Sequence, residues 1–89
     1  MKISYGGQAR EGAGCVSEEL AVPDGATVAV VLATAAHRHE KLWPMLMRSD
    51  GRPHPSVLVI VGDEQRRTDD PRPLPSGVAV TLLTPVSGG

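Results

Sequence analysis

Five consecutive aliphatic residues, Val57-Leu58-Val59-Ile60-Val61, constrain this chain more than any other feature. Four of the five are β-branched, which favours a pleated strand over a helix. A run that is apolar on both parities predicts a central strand with both faces at least partly covered. Gly62-Asp63 turns it, and the charged, proline-rich stretch from Glu64 to Pro75 reads as an exposed edge segment and loop. A chain of 89 residues has room for one such sheet in one small domain. With no Phe, and only Tyr5 and Trp43 as aromatics, the core must be built from Val, Leu, Ile and Ala.

The remaining elements arrange themselves around that strand. Lys2 to Tyr5 alternates and predicts an opening strand with Ile3 and Tyr5 on one face. Gly6 to Gly14 reads as a loop with room for a helical turn at Gln8 to Glu11. Val16 to Val22 predicts a second strand with Leu20 and Val22 buried, stopped by Pro23-Asp24-Gly25. Thr27 is placed to cap a helix over about Thr27 to Arg38, in which Val28, Val31, Leu32 and Ala35 form one apolar stripe. Met45, Leu46 and Met47 read as a short turn capping the core. Val78 to Leu83 predicts the last strand, with Val78, Val80 and Leu82 inward, and Thr84 to Gly89 reads as an open tail. The order β-β-α-β-(β)-β implies an α+β fold of the β-grasp type, a mixed sheet of four to five strands packed on one main helix. Residues 1–84 form the domain and 85–89 the tail.

Several functions are disfavoured by composition. A net charge of -1 argues against a nucleic-acid binder, which needs a basic surface. The single Cys15 excludes an intrachain disulfide and any multi-cysteine metal site. No apolar run reaches the ~18–20 residues of a membrane span. Met1 to Tyr5 lacks the pattern of a signal peptide, so a cytoplasmic location is expected. The glycines from Gly6 to Gly14 are not followed by the Lys-Ser/Thr pair of a phosphate loop.

The tail makes a family resemblance specific. Leu82-Leu83-Thr84-Pro85-Val86-Ser87-Gly88-Gly89 resembles the end of the MoaD/ThiS family of ubiquitin-like sulfur carriers. Ala9-Arg10-Glu11-x-x-Gly14 resembles the segment after the first strand of the molybdopterin synthase small subunit. Val22-Pro23-Asp24-Gly25-Ala26-Thr27-Val28 resembles that family's entry to its helix. Pro75-Ser76-Gly77-Val78 stands where the family usually carries an acidic turn, and Val61-Gly62 where it usually has Val-Asn. Val59-Ile60-Val61-Gly62-Asp63-Glu64 is similar to the branch supplying sulfur for cysteine or secondary-metabolite synthesis.

The resemblance implies a co-substrate rather than an enzyme. A terminal α-carboxylate on Gly89 is ionised at neutral pH and is a poor electrophile. An ATP-dependent, ubiquitin-activating-like enzyme of the MoeB/ThiF type converts one oxygen into a leaving group. A sulfur donor then displaces AMP and leaves a thiocarboxylate. The acceptor is open: a molybdopterin synthase large subunit, a thiazole synthase, a cysteine synthase-type enzyme or a secondary-metabolite sulfurtransferase. The same tail chemistry would also serve a protein modifier joined to lysine, and a β-grasp binding module would need none of it. Glycines at 88 and 89 let the tail enter a narrow channel. Extended from Thr84, it reaches roughly 20 Å at ~3.3 Å per residue. Leu83, Pro85, Val86, Ser87, Gly88 and Gly89 are the expected partner-binding residues, with Leu83 exposed on the outer parity of the last strand. No bound cofactor or metal is expected.

Other polar residues receive plainer readings. Cys15 has no base nearby in sequence and reads as an incidental loop thiol. His37 and His39 point to different sides of a helix end, and neither they nor His54 stand at ligand spacing from a Cys or carboxylate. Arg10 and Glu11 read as a local ion pair, and Arg66, Arg67 and Arg72 as part of a solvated mixed-charge loop with Asp69 and Asp70. Met45 and Met47 read as core caps.

Overall fold

The structure, a computed structural model, describes residues 1–84. Strand β1 (Lys2–Gly7) leads into helix α1 (Gln8–Ala13) and strand β2 (Ser17–Glu19). Helix α2 (Val28–Arg38) follows, then a 3-10 turn (Glu40–Leu42) and the short helix α3 (Trp43–Leu46). Strands β3 (Leu58–Val61), β4 (Glu64–Arg66) and β5 (Val80–Thr84) complete the sheet in the order β2-β1-β5-β3-β4. The β1–β5 pair is parallel and the other neighbours are antiparallel. This is the expected β-grasp: a mixed five-stranded sheet with the main helix on one face.

Alternation decides what that helix covers. Ile3 and Tyr5 of β1, Val59 and Val61 of β3, and Val80 and Leu82 of β5 point to one face and are buried. Against them lie Val28, Val31, Leu32, Ala35 and Ala36 of α2, the stripe legible in the sequence. Three of the helix's first four residues are valines, so its stability comes from this docking more than from propensity. Leu42, Leu46 and Met47 close the end of the core, and Met45 packs partly against it.

Four expectations need correction. Thr27 occupies the N-cap position of α2, but its hydroxyl makes no capping hydrogen bond. The segment Gly6 to Gly14 is mostly not loop: Gln8–Ala13 is helical, and Gly14 ends it in the left-handed conformation that glycine adopts freely. Strand β2 is only three residues long. Leu20 is buried, but Val22 is half-buried and Val16 is 59% exposed. The aliphatic run is an interior strand with both faces at least partly covered, as expected, but not the middle one. That place belongs to β5, and the outer face of β3 is partly open, with Leu58 36% exposed.

Neighbouring leucines on β5 should therefore differ sharply. Leu82→Ala removes a fully buried side chain and is expected to cost ~2–5 kcal/mol. Leu83→Ala, on the opposite face, is expected to cost about 1 kcal/mol or less. Urea denaturation of the two variants reads the contrast.

Candidate functional site

The root of the C-terminal segment is fixed by contacts from the other end of the chain. Thr84, read from sequence as the first tail residue, is the last residue of β5 and is buried. Its Oγ1 accepts a hydrogen bond from the Ala9 amide at 3.0 Å. Ala9 lies in the first turn of α1, where amides have no partner within the helix. No side chain at the N-cap, Gly7, can supply one, so Thr84 does so from across the sheet.

Two glycines make room for this root. Gly7 has φ +62°, and a Cβ there would lie 2.9 Å from the Thr84 carbonyl oxygen. Glycine meets both demands, a positive φ and a close backbone approach. A Cβ on Gly6 would lie 2.1 Å from Leu83 Cδ2. Leu83 thus lies down over Gly6 and is half-buried instead of standing free.

Leu83 belongs to the sheet face opposite α2. Register places it beside Gly6 on β1 and Leu58 on β3, with Thr81 and Ile60 one step along. Leu58, Ile60 and Leu83 form an apolar strip that runs up to the end of β5. Apolar surface next to a projecting segment suits contact with a partner. Of this strip only Leu83 is among the expected partner-binding residues; Leu58 and Ile60 are not. The register of β3 against β5 is what brings these two in, and that register is not written in either strand alone. Pro85, Val86, Ser87, Gly88 and Gly89 lie outside the described residues.

A second group of polar residues gathers at the β2 edge. Glu18 accepts hydrogen bonds from Tyr5 Oη at 2.6 Å and Arg38 Nε at 2.7 Å, and its Oε2 lies 2.5 Å from His39 Nε2. A carboxylate only accepts, so the proton of the last contact sits on the His39 ring. The Glu18 side chain is 12% exposed. Burial pushes its carboxyl upward, but the bonds from Tyr5, His39 and Arg38 together outweigh this and hold it below its ordinary 4.5. Burial, followed by the bond to Glu18, pushes the Tyr5 hydroxyl far above its usual range. His39 packs edge-on against the Tyr5 ring. It is the C-cap of α2 and only 20% exposed at its side chain, not a solvated helix end. The fold also supplies what sequence spacing does not: Cys15, Glu18 and His39 bring their ligand-type atoms within 4.8 Å of one another.

Two charge readings change as well. Adjacent residues on a helix do not face each other, so Arg10 makes no ion pair with Glu11 and donates instead to the Tyr5 carbonyl. Arg67 and Arg72 pair with Asp69 and Asp70 as surface groups, and the Arg72 bonds hold Asp70 down to about 2. Arg66 is different. It bonds Glu64, but its side chain is only 8% exposed and Nη1 has no hydrogen-bond partner among the described residues.

The architecture defines a small ubiquitin-like protein. The ThiS family model matches residues 3–89, and the chain belongs to that family. Among solved structures it is similar to SAMP1 from Haloferax volcanii, at 25% identity and a TM-score of 0.85 over 100% of this chain and 98% of that one. It is also similar to a putative molybdopterin converting factor, subunit 1, from Pyrococcus furiosus. The identity there is 26% and the TM-score 0.74, over 96% of this chain and 95% of that one. The small archaeal modifier protein 1 of Methanosarcina acetivorans shares the fold at 19% identity and a TM-score of 0.71, over 99% of this chain and 94% of that one. A search of curated proteins finds no match. In the described residues, no helix is long and apolar enough to cross a membrane.

Two outcomes are expected. Gly7→Ala meets backbone and forces a positive φ on alanine, so it should destabilise by more than ~1 kcal/mol. Gly6→Ala meets only a leucine methyl that can rotate away, and should cost less in the same urea titration. Glu18, with its folded carboxyl held below 4.5, contributes stability that is complete above that value and is lost as pH falls through the lower folded value. In chelator-containing buffer, the stability gap between the natural chain and Glu18→Gln should therefore shrink as pH drops below about 4.5.

Proposed function

We propose that this chain is a sulfur carrier whose Gly89 carboxylate is adenylated and then thiocarboxylated. The observation that carries the reading is Gly88-Gly89 within the ThiS-family match, following a central strand whose last residue is pinned. A fixed root and a glycine end suit delivery of one carboxylate into a partner's active site. Residues 1–84 would then be the docking body and 85–89 the reactive arm.

An ATP-using, ubiquitin-activating-like enzyme supplies the first step. A carboxylate oxygen attacks the α-phosphorus, pyrophosphate leaves, and an acyl-adenylate forms. Sulfide displaces AMP directly; a persulfide's terminal sulfur does so through an acyl disulfide whose S–S bond a thiol then cleaves, becoming a disulfide itself, and either route leaves C(=O)–S⁻ on Gly89. The thiocarboxylate is a nucleophile for an acceptor synthase or sulfurtransferase. Leu58, Ile60 and Leu83 contribute apolar contact to these partners beside Pro85, Val86, Ser87, Gly88 and Gly89. The chain supplies no catalytic group of its own to this sequence.

A second reading has a specific observation behind it. The likeness to SAMP1, at a TM-score of 0.85 over the whole chain, favours a protein modifier whose activated carboxyl joins a lysine amine. Both readings share the adenylate and part at the nucleophile.

Intact mass spectrometry distinguishes them. The chain is incubated with ATP, sulfide and a MoeB-type activating enzyme from the same organism. The carrier reading expects a mass shift of one oxygen replaced by one sulfur, absent when Gly89 is deleted. High-mass lysine conjugates without that shift would favour the modifier. No change with an activating enzyme proven on its own carrier would overturn the tail chemistry.

A further inference from the structure

The cluster at the β2 edge contains none of the residues that the carrier chemistry uses. Cys15, Glu18 and His39 come from three places: the connection between α1 and β2, β2 itself, and the C-cap of α2. All three are partly shielded, and their ligand-type atoms lie within 4.8 Å of one another. A tetrahedral zinc ion, with Zn–S of about 2.3 Å and Zn–N or Zn–O of about 2.0–2.1 Å, sets its ligand atoms roughly 3.3–3.6 Å apart. The three side chains therefore stand within about 1.5 Å of closing on an ion.

We propose that Cys15, Glu18 and His39 bind one zinc ion, with the fourth position open to water. The donor set selects the metal. A thiolate with an imidazole favours zinc over magnesium or calcium, which take oxygen ligands. Thiolate and carboxylate together balance the ion's two charges. The supporting shell is already built: Tyr5 Oη and Arg38 Nε hold the Glu18 carboxylate in position at 2.6 and 2.7 Å. On binding, the Cys15 proton leaves to solvent. The neutral His39 ring carries its proton on Nδ1, and Nε2 turns from the Glu18 oxygen to the metal. The ion then bridges three segments, two of which, β2 and the end of α2, the Glu18 hydrogen bonds already join.

Cobalt(II), a spectroscopic stand-in for zinc, tests the site in the full chain. One equivalent should produce a thiolate-to-cobalt charge-transfer band and the intense visible bands of tetrahedral cobalt, both erased by added zinc. Cys15→Ser should abolish the charge-transfer band. His39→Gln should weaken affinity at least tenfold, with far-UV circular dichroism confirming the fold of both. In the natural chain, zinc should shift the His39 ring signals in NMR and leave those of His37 and His54 in place. This readout stands even if a variant fails to fold. Removing Gly88 and Gly89 should change nothing, which keeps this test independent of the carrier reading. The proposal is overturned by absence of the charge-transfer band at stoichiometric cobalt, by its survival at full affinity in folded His39→Gln, or by unmoved His39 signals.

Discussion

The parallel pairing of β1 with β5 is the contact on which the rest of the molecule depends. It joins Ile3 to Val80 at one end and Gly7 to Thr84 at the other, so the two extremes of the domain lie side by side. Closing so long a loop costs conformational entropy, though only ~0.6 kcal/mol for each doubling of its length. The return is large, because the pair brings Ile3, Tyr5, Val80 and Leu82 onto one face at once. Helix α2 docks on the face that this pairing completes. The same pairing puts β5 in the middle of the sheet, so the segment leaving it starts from the most constrained strand in the protein.

That placement accounts for the glycines before α1. Wherever β1 ends, the chain must turn into a helix while Thr84 and Leu83 press against it. Gly6 yields space to a side chain, and Gly7 yields space to a carbonyl and accepts a positive φ. The Ala9 amide then finds the Thr84 hydroxyl. Helix, strand end and tail root form one unit in which each member explains an oddity of the others. A helix of six residues has little stability alone. It persists because Ala9 is buried and its first turn is capped by a residue from the far end of the domain.

How much of this the sequence discloses follows from how local each signal is. The apolar stripe of α2 and the alternation in β1 and β5 are periodic within a few residues, so they are legible, and with them the fold. The aliphatic run of β3 is legible as a strand but misleads about its rank. Residues apolar on both parities can be buried on one face and left partly open on the other, as Leu58 shows. Helix α1 is obscured because Gly12 lowers its intrinsic propensity, and compensating contacts come from far along the chain, the Thr84 hydroxyl among them. The strip of Leu58, Ile60 and Leu83 is only half legible. Leu83 stands next to the tail in sequence, whereas Leu58 reaches it through register. The cluster of Tyr5, Cys15, Glu18 and His39 leaves no mark at all, since its members share no spacing and meet only when β2 and the end of α2 converge.

That convergence carries a cost the surrounding residues offset. A carboxylate beside the C-terminus of a helix is opposed by the helix's carbonyl ends, and a buried one loses its water as well. Glu18 sits in this position against α2. Arg38 and His39, at the helix's close, contribute donors where the carbonyl ends would repel, and Tyr5 adds a third from the core. The reason for tolerating such a carboxylate lies in β2. With three residues paired to β1 and open at its other edge, that strand has too little ladder to hold itself. Glu18 fastens it to the helix instead. A hydrophobic residue at this position could bury area, but it could not satisfy the hydroxyl of the buried Tyr5. The edge of the sheet is therefore held by directional polar bonds, and its geometry is fixed more sharply than packing of aliphatic side chains alone would fix it.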